Sequence, residues 1–124
     1  MGEIKEKLKI KNKEIEAIVD TGSDHIVVRE DLLQEIGIKP VKKEAASFAD
    51  ESRKKVNVYL EDIEVKNYKI PAVVIIGGRK NLLGRIVLRQ LGAKIDQSDD
   101  TITYTRHPTG LIEIPFVELE GEEK

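Results

Sequence analysis

The sequence contains no cysteine and no tryptophan, and it has no long hydrophobic run. The absence of cysteine excludes a disulfide framework and any metal or redox site built on thiolates. The longest apolar runs, at Ala72–Ile76 and around Ile86–Leu88, are far shorter than the ~18–20 residues of a membrane span. With only two Phe and three Tyr, the chain must build its core from aliphatic side chains.

The chain also lacks a strong excess of either charge. It has 21 Lys and Arg against 23 Asp and Glu, which gives a net charge of −2. This balance disfavours nucleic acid as a partner, since nucleic-acid binding normally needs a basic face. The N-terminal residues lack the apolar segment of a signal peptide, so we expect a cytoplasmic protein without membrane contact. A length of 124 residues fits one domain.

Alternation of apolar and polar residues predicts a mainly β protein. Residues 8–10 and 15–19 alternate on either side of Lys11-Asn12-Lys13, which indicates a hairpin. A short strand is expected at Ile26–Val28. Alternation at Val56, Val58 and Leu60 and then at Tyr68, Ile70, Ala72 and Val74 predicts longer strands, ended by Gly77-Gly78.

Two short helices and a last hairpin complete the expected elements. Glu30–Ile36 has acidic residues in its first turn and is followed by Gly37, which is typical of a helix and its stop. Arg85–Leu91 is the second helix, stopped by Gly92. A hairpin is expected over residues 93–105.

One segment carries chemistry: Asp20-Thr21-Gly22-Ser23, at the end of the apolar strand Ala17–Val19. A carboxylate at the mouth of such a strand is poised for an altered pKa. The glycine lets the chain turn sharply and lets another chain approach closely. The triplet alone also occurs in ordinary turns, so by itself it is moderate evidence.

A second motif, Asn81-Leu82-Leu83-Gly84-Arg85, opens the second helix further along the chain. Together the two motifs, with the hairpin before the first and the β-rich middle between them, resemble the retropepsin-like aspartic proteases, the single-domain family that includes the retroviral proteases. The resemblance covers roughly residues 8–104. It implies a small closed β barrel with one or two short helices, a protease domain at residues 1–106 and a tail at residues 107–124.

The resemblance also implies roles for individual residues. Asp20 would be the catalytic carboxylate in the loop of Thr21, Gly22 and Ser23, with Thr21 bracing the loop from the partner chain and the Gly22 carbonyl facing the substrate backbone. Asp24 would form a structural ion pair with Arg85. The residues expected to contact substrate are Gly22, Asp24, Phe48, Ala49 and Asp50.

The candidate flap, residues 46–53, departs from the family because it contains no glycine and has a charged tip. Phe48 is equally well interpreted as a core residue. Asp50 and Arg53 are expected to add a charge preference, whereas the clusters Lys42-Lys43 and Arg53-Lys54-Lys55 read most simply as solvated faces. The loop facing the flap tip is expected at Gly77-Gly78.

The sequence contains one Asp-Thr-Gly and no second copy. Aspartic proteolysis needs two carboxylates that share a proton, so an active enzyme must be a symmetric homodimer acting on peptide or protein substrates. Leu111–Val117 is expected either to join the dimer interface or to pack on its own chain. With His25 and His107 far apart and no cysteine, we expect no metal and no cofactor.

The alternative function is a retropepsin-fold module that dimerises or binds peptide without cleaving it. The charged, glycine-free flap motivates that hypothesis. The intact Asp20-Thr21-Gly22-Ser23 argues against it, since a binding module has no need of a carboxylate on the dimer axis.

Overall fold

The computed structural model describes residues 3–47 and 51–105, and the first element in it is a β-hairpin. Strand β1 (Lys5–Ile10) pairs antiparallel with β2 (Lys13–Val19). Lys11 and Asn12 form the turn with positive φ of 49° and 69°. Such φ values suit the tight two-residue turns that match the twist of paired strands. The predicted hairpin is confirmed.

The remaining elements follow in the expected order, with the two-residue strand Leu82–Leu83 in addition. They are β3 (Ile26–Arg29), α1 (Glu30–Ile36), β4 (Lys42–Ser47), β5 (Arg53–Val65), β6 (Tyr68–Gly78), β7 (Leu82–Leu83), α2 (Arg85–Gln90), β8 (Ala93–Asp96) and β9 (Thr101–Tyr104). The mainly β class with two short helices is therefore confirmed. Neither helix in these described ranges has the length and apolar character that crossing a membrane requires.

Within the described residues, seven strands form one sheet in the order β1-β2-β7-β3-β6-β5-β4. A further antiparallel pairing joins β1 to β5, where Leu8 lies opposite Val65. Six strands thus form a ring of hydrogen-bonded neighbours. Strand β4 pairs with β5 outside this ring, and together they form a hairpin. The two-stranded sheet β8-β9 stands apart from the seven-stranded one.

The core is aliphatic, as the composition predicts, with Tyr59 as its largest fully buried side chain. Along much of the ring strands, buried residues alternate with more exposed ones, which distinguishes an inner from an outer face of the sheet. Helix α1 contributes Leu33, and α2 contributes Val87 and Leu88. Gly37 ends α1 at φ 89°, where its N–H bonds to the carbonyls of Leu33 and Gln34. Glycine adopts this left-handed conformation without steric cost.

The alternation that predicted β6 matches its burial only as far as Ile70. Val73 and Ile75 are buried there, whereas Ala72 is exposed and Val74 only half-buried. The cause is a bulge: Pro71 and Ala72 stand opposite the single residue Asp62 of β5. Ala72 has φ 52°, and its N–H bonds to the Asp62 carboxylate at 2.9 Å. An extra residue on one strand shifts all later side chains to the other face.

The expectation that Gly77-Gly78 breaks the strand and forms a loop is also wrong. Strand β6 runs through both glycines, which pair in parallel register with Val28 and Arg29. A Cβ on Gly77 would lie 2.1 Å from Glu30 Oε1. Glycine therefore serves here to admit the side chain of Glu30 rather than to end a strand.

The last hairpin, β8-β9, is joined to β1 and β6 through Tyr104. The Tyr104 hydroxyl donates to Glu6 Oε2 at 2.9 Å, and its ring lies 5.5 Å from that of Tyr68. Burial raises the pKa of Tyr104, and the nearby Glu6 carboxylate adds to this. Leu111–Val117 and the rest of the expected tail lie outside the described residues.

Candidate active site

The Asp20 loop follows the end of β2, and β2 lies between β1 and β7 in the ring. Ile18 and Val19 pair in parallel with Leu82 and Leu83 of β7. The Asp20 N–H continues this ladder by donating to the Leu83 carbonyl at 3.0 Å. The carboxylate therefore stands at the end of a strand whose backbone is fixed on one side by β7.

The loop itself holds the Asp20 side chain. The Gly22 N–H donates to Asp20 Oδ1 at 2.9 Å, and the Ser23 N–H donates to the Asp20 carbonyl at 3.2 Å. No group among residues 3–47 and 51–105 donates to the other carboxylate oxygen, Oδ2. Asp20 is half-buried. One oxygen is thus fixed by the backbone, and the other is available to an incoming hydrogen-bond donor.

The far end of the loop docks on the start of α2. The Arg85 N–H donates to the Ser23 carbonyl at 2.7 Å, and the Ile86 N–H donates to the Asp24 carbonyl at 3.0 Å. Gly84 permits this approach, because a Cβ there would lie 2.2 Å from the His25 carbonyl oxygen. The two sequence motifs therefore meet in space, and the second one supports the first.

Asp24 and Arg85 also meet through their side chains. Arg85 Nη2 lies 2.5 Å from Asp24 Oδ1. The side chains are 60% and 54% exposed, so water screens the attraction and its contribution to stability is small. The contact joins the Asp20 loop to the first residue of α2.

The opposite side of the loop borders a half-open cleft of about 200 Å³. Its lining combines the apolar side chains of Ile4, Ile18, Val19 and Ile95 with Glu3, Gln97 and the exposed Thr21. On the inner side, the Ser23 hydroxyl donates to the His25 carbonyl at 2.9 Å. Thr21 is thus presented outward while Ser23 turns inward to brace the loop.

A row of apolar side chains crosses the outer face of the sheet at this point. Leu82 of β7 is in register with Ile18 of β2 and with Val27 of β3, and Val27 is in register with Ile76 of β6. Residues in register point to the same face. All four are half-buried, whereas their sequence neighbours Ala17, Ile26, Ile75 and Leu83 are in the core. We call these four residues the apolar floor; it begins two residues before Asp20.

Comparison with known families identifies this arrangement. A family model described as aspartyl protease matches residues 7–87, well over half of the chain. The chain belongs to the aspartyl protease family. The matched region contains the Asp20 loop, the apolar floor and Gly84-Arg85, and it is consistent with the retropepsin-like branch to which the two motifs point. Comparison with curated proteins finds no match to this chain.

For an aspartyl protease, the structure brings together most of the residues that the sequence singled out. Asp20, Thr21, Gly22 and Ser23 form one loop, and Asp24 lies against Arg85. Phe48, Ala49 and Asp50, expected to contact substrate from the flap, lie outside the described residues. Within the described residues, no three His, Asp or Glu side chains gather in a way that could hold a metal ion.

Sequence reasoning assigned no role to the apolar floor or to Asn81. The sequence placed Ile18 and Val27 in strands but did not assign their side chains to an outer face. Their becoming neighbours depends on the short strand β7, which lies between β2 and β3 although it comes much later in the chain. Asn81 completes this junction by accepting the Ile18 and Arg29 N–H groups, each at 2.9 Å.

Proposed function

We propose that this aspartyl protease is an endopeptidase that is active as a symmetric homodimer. The observation that carries the proposal is the Asp20 carboxylate, fixed through Oδ1 and open at Oδ2, in a chain that has one Asp-Thr-Gly. One such loop supplies one carboxylate, and the reaction requires two. A twofold axis beside Asp20 would bring the second from an identical chain.

The surface around the loop supports this assembly. Thr21 is exposed at the loop tip, and the adjoining cleft combines four apolar side chains, Ile4, Ile18, Val19 and Ile95, with the polar Glu3 and Gln97. Apolar surface beside a polar loop is typical of protein interfaces. A second copy placed here would bury the cleft and bring its own Thr21 to the same axis.

The two carboxylates would divide the chemistry between them. Like charges about 3 Å apart cannot both ionise easily, so one Asp20 keeps a proton and the other stays charged. The charged carboxylate would take a proton from a water as it attacks the scissile carbonyl. The protonated one would donate to the oxygen that becomes negative. When the C–N bond breaks, the carboxylate that took the proton from water would give it to the leaving amine, and the other would recover its proton as the carbonyl forms again. The Gly22 N–H at Oδ1 keeps each carboxylate in place during this exchange.

An extended peptide fits the surface beside this dyad. The floor of Ile18, Leu82, Val27 and Ile76 offers apolar contacts along one face of the sheet. A peptide bound as a β-strand obtains its affinity from main-chain hydrogen bonds and its specificity from alternating side-chain pockets. The Gly22 carbonyl is the proposed main-chain partner. The ring of six paired strands would be the closed barrel of the family, with the β4-β5 hairpin as its flap.

The test is a peptide-library digestion read by mass spectrometry, from about pH 3 to 7, which brackets carboxylate titration. Wild-type protein and Asp20→Asn are compared, with sedimentation to establish that both remain dimers. Cleavage by wild type and none by Asp20→Asn supports the proposal. Cleavage by the variant would refute the mechanism. Dimers that bind peptides without cleaving them would instead support the non-catalytic module.

A further inference from the structure

The β4-β5 hairpin has two faces whose side chains differ in what they meet. From Val58 toward the tip, Val56 and Lys54 lie on one face of β5, while Asn57 and Lys55 lie on the other. Strands β4 and β5 pair without a break from Lys42–Val58 to Ser47–Arg53, so this alternation holds along the whole hairpin.

The face that carries Lys54 is continuous with the apolar floor. Val58 is in register with Ile76, the last residue of the floor, and therefore points to the same outer side of the sheet. Val58 is 4% exposed yet is not part of the central core cluster, which agrees with its place on the outer face. Lys54 lies four residues before Val58 in the sequence, which is ~13 Å along an extended strand toward the hairpin tip. It is the first charged side chain of β5 on this face beyond the floor.

The face that carries Lys55 is continuous with the core side of the sheet instead. Asn57, on that face, donates to Glu30 Oε1 at 3.2 Å, and Tyr59 is buried. Arg53 shares this face by alternation. Arg53, for which the sequence suggested a charge preference, therefore does not lie on the face that continues the apolar floor.

A second basic segment borders the other side of the floor. Arg79 and Lys80 connect Gly78, the end of β6, to Asn81 and Leu82. Gly78 packs directly on the floor, because a Cβ there would lie 2.7 Å from Val27 Cγ1. Both basic side chains are exposed.

These cations are not neutralised by carboxylates of the described residues. No ion pair within 4.0 Å involves Lys54, Arg79 or Lys80 there, whereas two neighbouring pairs of opposite charge are matched. Glu44, on the same hairpin face as Lys54, pairs with Lys42, and Arg29 pairs with Asp31, both at 2.5 Å. The floor thus has unmatched positive charge on the hairpin side and on the β6-β7 side.

From this distribution we propose that the protease prefers peptides with acidic side chains flanking the apolar residues at the scissile bond. Lys54 recognises the acidic side chain that points toward the hairpin, and the Arg79-Lys80 loop adds to the attraction. The inference rests on the proposed function. In a symmetric dimer each copy contributes one Lys54, so the preference applies on both sides of the scissile bond.

The experiment uses three peptide series with the same apolar centre, flanked on both sides by Glu, Gln or Lys. The charged residue is moved outward from the scissile bond one position at a time. The measured quantity is kcat/KM for wild type, for Lys54→Glu and for Lys55→Glu. Lys55→Glu changes the same charge at the adjacent position on the opposite face and is the matched control. Affinity of the same peptides for the Asp20→Asn dimer is the second measurement.

Wild type is expected to favour Glu over Gln by roughly fivefold, the size of a partly exposed ion pair. Lys54→Glu should reverse the preference, and Lys55→Glu should leave it unchanged. Equal cleavage of all three series by wild type, or the same effect from both variants, would overturn the inference and leave the proposed function intact. No cleavage by wild type would count against the proposed function, and equal affinities in the Asp20→Asn dimer would then overturn the inference separately.

Discussion

The Asp20 loop and the β4-β5 hairpin border the same floor but are held in different ways. The loop is tied through backbone hydrogen bonds to β7 on one side and to α2 on the other, by Asp20, Ser23 and Asp24. The hairpin pairs mainly with itself, and most of β4 is exposed. Its attachment to α1 lies at its base, where Tyr59 and Asn57 donate to Glu30.

This difference separates two requirements of a protease. A reacting carboxylate must be held within a fraction of an ångström, which backbone ties on both sides provide. A surface that covers a peptide must admit and release it, which a strand pair anchored at one end allows. Substitutions that break the backbone ties of the loop should therefore affect stability and turnover together, whereas substitutions at the base of the hairpin should mainly affect peptide binding.

The largest effect is expected from Gly84→Ala. The new methyl group would meet two backbone oxygens, His25 O and Ser23 O, which cannot swing away as a side chain can. We expect a loss of about 3 kcal/mol in the free energy of unfolding, together with loss of turnover. Urea unfolding and peptide cleavage measure the two effects.

The control is Gly22→Ala, whose methyl group would lie 3.2 Å from Asp20 Oδ1 and meets no backbone atom outside the loop. Its unfolding free energy should change by less than about 1 kcal/mol while turnover falls. Equal destabilisation by the two substitutions would contradict the idea that α2 supports the loop through Gly84.

An intermediate effect is expected from Glu30→Ala at the base of the hairpin. The substitution removes the acceptor of the buried Tyr59 hydroxyl, and hydrogen bonds to charged groups contribute about 1.5–3 kcal/mol. KM for peptides should rise more than kcat falls. Glu30→Gln keeps an acceptor oxygen and should restore most of both. A fall in kcat with unchanged KM would place Glu30 with the loop rather than the hairpin.

The stability of the protein should also depend on pH through Tyr59 in the same region. Burial raises its pKa to about 12, and Glu30 adds to this. Because the unfolded chain ionises this phenol near pH 10, the stabilisation is complete below pH 10 and is lost as the pH rises toward 12. Urea midpoints between pH 9 and 11 should therefore fall with pH, and should fall less in Glu30→Ala. Parallel curves for wild type and Glu30→Ala would show that Glu30 does not set the phenol's pKa.

The smallest effect is expected from Asp24→Asn. The ion pair with Arg85 is more than half exposed, so its loss should cost at most about 1 kcal/mol, and less at high salt. The backbone bond from the Ile86 N–H to the Asp24 carbonyl remains. A loss above 2 kcal/mol, or complete loss of cleavage, would give this pair a larger role than the structure supports.

The local elements of this fold are readable from the sequence because each carries its own signal. The Lys11-Asn12 turn and the Gly37 stop have residues suited to positive φ, and the motif residues Asp20 and Gly84 stand out from their surroundings. The alternation of β6 failed beyond Ile70 because Pro71 and Ala72 bulge against Asp62, and a bulge leaves no mark on the pattern before it.

The apolar floor could not be predicted for a different reason. Ile18 and Val27 read as ordinary strand residues and Leu82 as part of the motif before the second helix, and only the insertion of β7 between β2 and β3 makes them neighbours. The same holds for Lys54, which the sequence places in an exposed basic cluster. Its relation to the floor follows from the register of Val58 with Ile76, a long-range pairing.

The most direct test of the shared dyad is a subunit-mixing experiment. Wild-type protein and Asp20→Asn are mixed in varying proportions at constant total concentration, allowed to exchange subunits, and assayed for peptide cleavage. If each site needs one Asp20 from each chain, activity falls as the square of the wild-type fraction, to about one quarter at equal proportions. Activity that falls in direct proportion, to about one half, would show that each chain cleaves without its partner's Asp20 and would contradict the account.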